Sequence, residues 1–188
     1  VGEISRTGVK PPVLLHFPSI IRDRINGLHQ AFEQSRSDFQ YQGRYRCVYP
    51  IKANQNQQVI RSIIAHGREF GMGLEAGTKA ELALVAALTA GTNVPILYNG
   101  FKDLGSVELA IRIARDSQVN HSAKPDNARV GGRDFTIIIE KPDDIDLIAA
   151  AVKKLNYKPL LGIRVKLASR GSGHWQQSGL RLNQLSLS

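Results

Sequence analysis

One lysine and a few charged or amide residues stand where this chain could do chemistry. Lys52 lies in the run Val48-Tyr49-Pro50-Ile51-Lys52-Ala53-Asn54-Gln55, where a short apolar, β-rich segment gives way to a polar one and then to a helical pattern. An amine at the carboxyl end of a buried strand sits where α/β barrels place their chemistry. Partial desolvation there lowers the pKa of an ammonium and frees the amine as a nucleophile, which is what a Schiff-base lysine needs. By position, the other polar residues at strand ends are Glu75, Asn99, Glu140 and Arg164. An amine, two carboxylates, an amide and a guanidinium at the mouth of one sheet suit a cofactor with a phosphate and a carbonyl, and a charged substrate. No His/Cys/Asp/Glu spacing resembles a metal-ligand set, and no nucleophile elbow is present. Each residue also has a plainer explanation. Lys52 is then a solvated strand end, Glu75 a charge favourable to the dipole of the next helix, Asn99-Gly100 a turn, and Glu140-Lys141-Pro142 a helix start. Arg164 alternates with Ile163 and Val165, so it points opposite to them, into a barrel interior or toward solvent.

The elements that must position these residues follow one repeated unit, a short apolar strand and then an amphipathic helix. The patterns predict strands over 47–52, 69–75, 94–98, 135–140 and 160–167, and helices over 56–67, 77–90, 104–116 and 143–155. Val59, Ile63 and Ile64 form the inward face of the first of these helices, and Pro142 stands near the start of the last. Ahead of the repeat, Ile20 to Gln34 has helical periodicity, with Ile21, Ile25, Leu28 and Phe32 on one face and Ser19 as N-cap. Residues 117–134 are polar and rich in turn formers and are expected to form a surface insertion, and Ser169 to Trp175 a glycine-rich loop. Strands alternating with helices imply parallel βαβ units. A closed barrel needs eight strands and typically about 250 residues, so the sheet is either open and doubly wound or part of a barrel. The turn after the first strand, Lys52-Ala53-Asn54-Gln55, has no glycine, which disfavours a dinucleotide or P-loop fold and favours the partial barrel.

Composition sets outer bounds. The chain has 188 residues, 42% hydrophobic and 22% charged, enough for one domain with a sizeable core. Its single cysteine, Cys47, forms no intrachain disulfide and is expected in the core, which fits a reducing, cytoplasmic setting. No apolar run approaches the roughly 18 residues of a membrane helix, and the first ten residues lack the apolar stretch of a signal peptide. The net charge of +9 is spread along the chain without a run of like charges, and there is no zinc-finger or RNA-binding signature. This argues against a nucleic-acid partner and is compatible with anionic ligands.

The run around Lys52 resembles the lysine motif of the biosynthetic arginine decarboxylases, pyridoxal-phosphate enzymes of the alanine-racemase-like barrel class. The likeness continues in order along the chain. It takes in the lead-in Pro11 to Pro18, Gly43-Arg44-Tyr45, and the strand–helix junctions Gly73 to Leu82, Asn99 to Asp103 and Ile139 to Pro142. The stretch Leu161 to Gly173 is similar to the fifth strand and its loop. The resemblance implies an α/β fold, a partial (β/α)8 TIM-type barrel with about five parallel strands present. It divides the chain into a lead-in with a helix (1–46), a partial pyridoxal-phosphate-binding barrel (47–179) and a divergent tail (180–188). Lys52 is then expected to carry pyridoxal phosphate as an internal aldimine, Glu75 to be an acidic group close to it, and Arg164 to lie near the cofactor ring oxygen. L-arginine would be converted to agmatine and carbon dioxide, a step toward polyamines. Magnesium and a homo-oligomeric full-length enzyme are further implications, with no metal site placed on these residues. The pattern departs after Ser178-Gly179, and segments that the family places later do not follow. A truncated chain with little or no activity and aggregation-prone barrel edges is therefore expected. The alternatives are a related decarboxylase acting on ornithine or diaminopimelate, and a non-catalytic pyridoxal-phosphate-binding protein.

Overall fold

A computed structural model of the chain describes residues 17–119 and 134–165, with residues 6, 8–10, 12, 13 and 15 of the lead-in. The expected insertion falls mostly outside the described residues, as do the glycine-rich loop and the tail. The repeat is present as expected. Strands β1 (Val48–Pro50), β2 (Gly73–Ala76), β3 (Ile96–Tyr98), β4 (Phe135–Ile139) and β5 (Leu160–Ile163) pair in parallel in the order β1-β2-β3-β4-β5. Helix α1 (Pro18–Asp38) precedes β1, and α2 (Gln57–Gly67), α3 (Lys79–Leu88), α4 (Leu104–Val119) and α5 (Asp143–Leu155) follow β1 to β4 in turn.

The strand order decides between the two architectures left open above. A doubly wound sheet reverses its order at a switch point. Here every crossover steps the same way, so right-handed connections place α2 to α5 on one face. Burial follows suit. Leu74 and Ala76, Ile96 and Tyr98, and Phe135 and Ile137 are buried against Ile60, Leu82, Val107, Ile111 and Ile148 of the helices. The residues that alternate with them, Glu75, Leu97, Thr136 and Ile138, are only partly buried and line the other face. Arg46, just before β1, forms an ion pair with Asp134, just before β4. In a flat sheet those strands would stand about 14 Å apart, so the pair requires a concave inner face. The sheet is a segment of barrel wall.

Local chemistry explains most element ends. Thr78 caps α3 by accepting the Glu81 N–H at 3.2 Å, and Asn56 caps α2 by accepting from Gln58 N–H at 2.9 Å. In α5, Asp143, Asp144 and Asp146 in the first turn and Lys153 and Lys154 in the last complement the helix dipole. Pro50 sits on an edge strand, where its missing N–H costs no ladder bond.

Several expectations are corrected. The α1 N-cap is Phe17, with Pro18 in the first turn, and Ser19 lies inside the helix. Ile21 and Ile25 pack on the core as expected, but Leu28 and Phe32 are each 43% exposed. Phe32 instead stacks on Tyr45 at 3.8 Å. Residues 68–70 are a 3-10 turn, not the start of β2, because Gly71 takes a left-handed φ of 65° that breaks an extended run. Cys47 is only partly buried, since it precedes the edge strand. The strand expected over 160–167 ends at Ile163, and Ile163 and Val165 are 77% and 78% exposed.

Gly100 shows how tightly the strand-to-helix loops are fitted. Its φ is 89°, and a Cβ there would lie 2.4 Å from the Gly77 carbonyl oxygen. Gly100→Ala is therefore expected to destabilise the chain by about 2 kcal/mol or more, measured by urea unfolding.

Candidate active site

The carboxyl ends of the strands carry the five residues singled out from the sequence. β1 stops at Pro50, and the turn Ile51–Ala53 drives Ile51 into the core while leaving Lys52 exposed. The Asn54 side chain accepts the Asn56 N–H at 2.9 Å, and the Asn56 side chain caps α2. The polar segment after the lysine is thus a turn and a cap in succession, and it holds Lys52 between a buried isoleucine and a helix start. Among the described residues Lys52 is exposed, and β1 pairs there only with β2.

Glu75 is the register partner of Pro50 on one side and of Leu97 on the other, so it lies on the concave face next to the lysine strand. It does not serve the next helix. Thr78 caps α3, and Glu81 reaches back to accept the Gly77 N–H at 2.8 Å. Among the described residues, the side chains of Lys52 and Glu75 have no hydrogen bond or ion pair. Asn99 is hydrogen-bonded to Ala76 through its backbone N–H at 2.9 Å, yet its side-chain Oδ1 is buried without a partner among the described residues. A buried polar atom left unsatisfied costs about 1–3 kcal/mol.

Glu140 and Arg164 are placed differently. Arg164 Nη1 donates to Glu140 Oε1 at 2.7 Å, and the Gly100 N–H donates to the same oxygen at 3.0 Å. Arg164 remains about half exposed. Burial alone would push the Glu140 carboxyl up. The Arg164 hydrogen bond, the Gly100 N–H and the charges of Arg164 and Lys102 outweigh it and hold the group below its ordinary value.

The loops form a continuous belt. Gln55 Nε2 donates to Glu81 Oε1 at 3.4 Å, Glu81 holds Gly77, Gly77 abuts Gly100, and Gly100 is tied to Glu140 and so to Arg164. Sequence reasoning missed two members of this end of the sheet, Lys102 and Asp144. Both are buried, with Lys102 Nζ 3.6 Å from Asp144 Oδ2. The Thr78-x-x-Glu81 spacing was a legible capping signal. Nothing local marks Lys102 as the buried lysine and Lys52 as the exposed one.

The chemistry of these side chains is compatible with pyridoxal phosphate: an amine and a carboxylate without partners among the described residues, and a guanidinium braced by Glu140. Among the described residues, no group of three or more His, Cys, Asp or Glu could hold a metal ion, so the implied magnesium has no site there. No helix among them is long and apolar enough to cross a membrane.

Comparison with known proteins agrees. The family described as pyridoxal-dependent decarboxylase, pyridoxal binding domain, matches residues 23–184. The biosynthetic arginine decarboxylase of Rhodopirellula baltica is 41% identical over 180 residues, covering 95% of this chain and 24% of that protein. That of Bacteroides thetaiotaomicron is 38% identical over 179 residues, covering 95% of this chain and 26% of that protein. The chain thus spans about a quarter of the length of these relatives. Among solved structures, the biosynthetic arginine decarboxylase of Campylobacter jejuni superposes with a TM-score of 0.70 at 31% identity, covering 86% of this chain and 24% of that one. A diaminopimelate decarboxylase from M. jannaschi gives 0.55 at 18% identity, covering 83% and 30%, a likeness of fold alone.

Two outcomes follow from the geometry. Asn99→Leu removes the orphaned amide and is expected to leave stability unchanged or raise it by about 1 kcal/mol in urea unfolding. A loss of more than that would mean Asn99 has a structural partner. The lowered Glu140 carboxyl adds stability that is fully present above its unfolded pKa and is lost as pH falls through its folded one. Unfolding curves taken from neutral to acid pH should therefore fall less steeply for Glu140→Gln than for the parent chain.

Proposed function

The chain belongs to the family of pyridoxal-dependent decarboxylases through their pyridoxal-binding domain, and from that premise we propose that it holds pyridoxal phosphate on Lys52 for the decarboxylation of L-arginine to agmatine. The observation that carries this reading is Lys52 itself. It is exposed, held at the carboxyl end of β1, and uncommitted to any partner among the described residues. The substrate is taken from the biosynthetic arginine decarboxylases that the chain resembles along 95% of its length.

When bound, pyridoxal phosphate supplies the electron sink that lets an α-carboxylate leave as carbon dioxide. The chain's own residues would do the rest. The Lys52 amine is the covalent anchor, offered at the rim by a turn that Ile51 pins to the core. Glu75, on the neighbouring strand and spared from helix capping, would accept a hydrogen bond from a protonated nitrogen near that anchor, holding the proton there. Arg164 spends one N–H on Glu140 and keeps others for an anionic oxygen of the cofactor. A cytoplasmic setting belongs to this reading, and the single cysteine is compatible with it. The exposed apolar row on β5 would suit association between copies.

The test is borohydride reduction of the chain mixed with pyridoxal phosphate, followed by peptide mass mapping. The expected result is a pyridoxyl label on Lys52 that disappears in Lys52→Ala while the melting curve is unchanged. Labelling spread over surface lysines, or equal labelling of the variant, would defeat the proposal.

A further inference from the structure

A buried lysine next to a buried aspartate needs a reason. Lys102 is 2% exposed and Asp144 1%. Removing two charges from water is costly, and replacing such a pair by apolar residues is often neutral or stabilising. Stability is therefore a weak explanation for the pair. Its geometry offers a better one. Lys102 Nζ donates to the Gly100 carbonyl at 2.7 Å and lies 5.5 Å from the centre of the Tyr98 ring. Asp144 Oδ2 accepts the Glu140 N–H at 2.9 Å and the Lys141 N–H at 3.3 Å. Each charge thus grips the backbone of one strand-to-helix loop, and the attraction between them fixes one loop against the other. Gly100 is held at both ends, by Lys102 at its carbonyl and by Glu140 Oε1 at its N–H. Glu140 is held by its backbone on Asp144 and presents its carboxylate to Arg164.

We propose that Lys102 and Asp144 are positioning residues that act through Gly100 and Glu140 to set the direction of the Arg164 guanidinium at the mouth of the sheet. Without the pair, the two loops lose their common anchor. Glu140 is then free to turn to water, and Arg164, already half exposed, follows it. The ligand consequence rests on the reading that Arg164 faces an anionic oxygen of pyridoxal phosphate. The positioning itself does not.

The experiment compares two backgrounds, the parent chain and Lys102→Met/Asp144→Asn. The double variant removes both charges together and leaves an amide oxygen to accept the Glu140 N–H. In each background the Glu140 carboxyl is titrated by carbon-13 NMR, with and without Arg164→Ala. In the parent, Arg164→Ala should raise the Glu140 pKa, because it removes that carboxylate's guanidinium. In the double variant the same substitution should move it by about half as much or less, the mark of coupling between residues that do not touch. An equal shift in both backgrounds overturns the proposal, as does a parent in which Arg164→Ala leaves Glu140 unmoved. If the double variant loses its native circular dichroism, Asp144→Asn alone, which keeps the Lys102 bond to Gly100, is titrated in its place with the same expectation. A pyridoxal phosphate titration of the same proteins then separates the two ideas. Coupling by NMR in a chain that takes no label on Lys52 would uphold the positioning and reject the ligand reading.

Discussion

Parallel strands joined by right-handed crossovers that always step the same way can bury only one face of their sheet beneath helices. Everything else in this molecule depends on that constraint. It puts the crossover helices on the convex side, where Tyr98, Ile137 and the other buried strand residues meet α2 to α5. It leaves the concave side to Glu75, Leu97 and Thr136. It also brings every strand-to-helix loop to one end, so that residues as far apart in sequence as Lys52 and Arg164 share one rim. β1 and β5 stay unpaired on their outer sides within the described residues. Lys52 and the apolar row of β5 are exposed there.

The rim divides into two parts with different physics. From Gly77 through Gly100 and Glu140 to Arg164, polar groups satisfy one another. The buried Lys102 and Asp144 hold this part from beneath. Over β1 to β3, Lys52, Glu75 and the Asn99 amide have no partner among the described residues. Of these only the Asn99 Oδ1 is a buried atom without a partner, and beneath the other part Asp144 Oδ1 is another. The divide runs between Asn99 and Gly100, adjacent residues of which one is unsatisfied and the other bonded at both its N–H and its carbonyl.

Much of this was legible in advance, and the reasons are specific. Alternating apolar runs and 3.6-residue periods are local signals. The five strands and the helices after the first four therefore appear near their expected places, with α5 matching its predicted bounds of 143–155. Lys52, Glu75, Asn99, Glu140 and Arg164 were named from position alone, because any polar residue ending a strand of a parallel sheet must face the rim. What failed was equally physical. Ser19 loses its capping role because Pro18 already fits the first turn. The start of β2 slips because Gly71 breaks the extended run. Residues 117–119, expected to open the insertion, instead belong to α4, which runs on to Val119.

By itself, then, the sequence determined the element types, the repeating unit, the family likeness and which side chains end the strands, because each depends on residues close together in the chain. Only the tertiary structure decided that the sheet winds one way, that Lys102 is buried while Lys52 is exposed, and that Glu140 belongs to Arg164 while Glu75 belongs to none of the described side chains. Those outcomes depend on which loops come within hydrogen-bonding distance after folding. Pairs such as Lys102 with Asp144 and Gly77 with Gly100 are joined by sheet register and loop packing, and no local pattern encodes either.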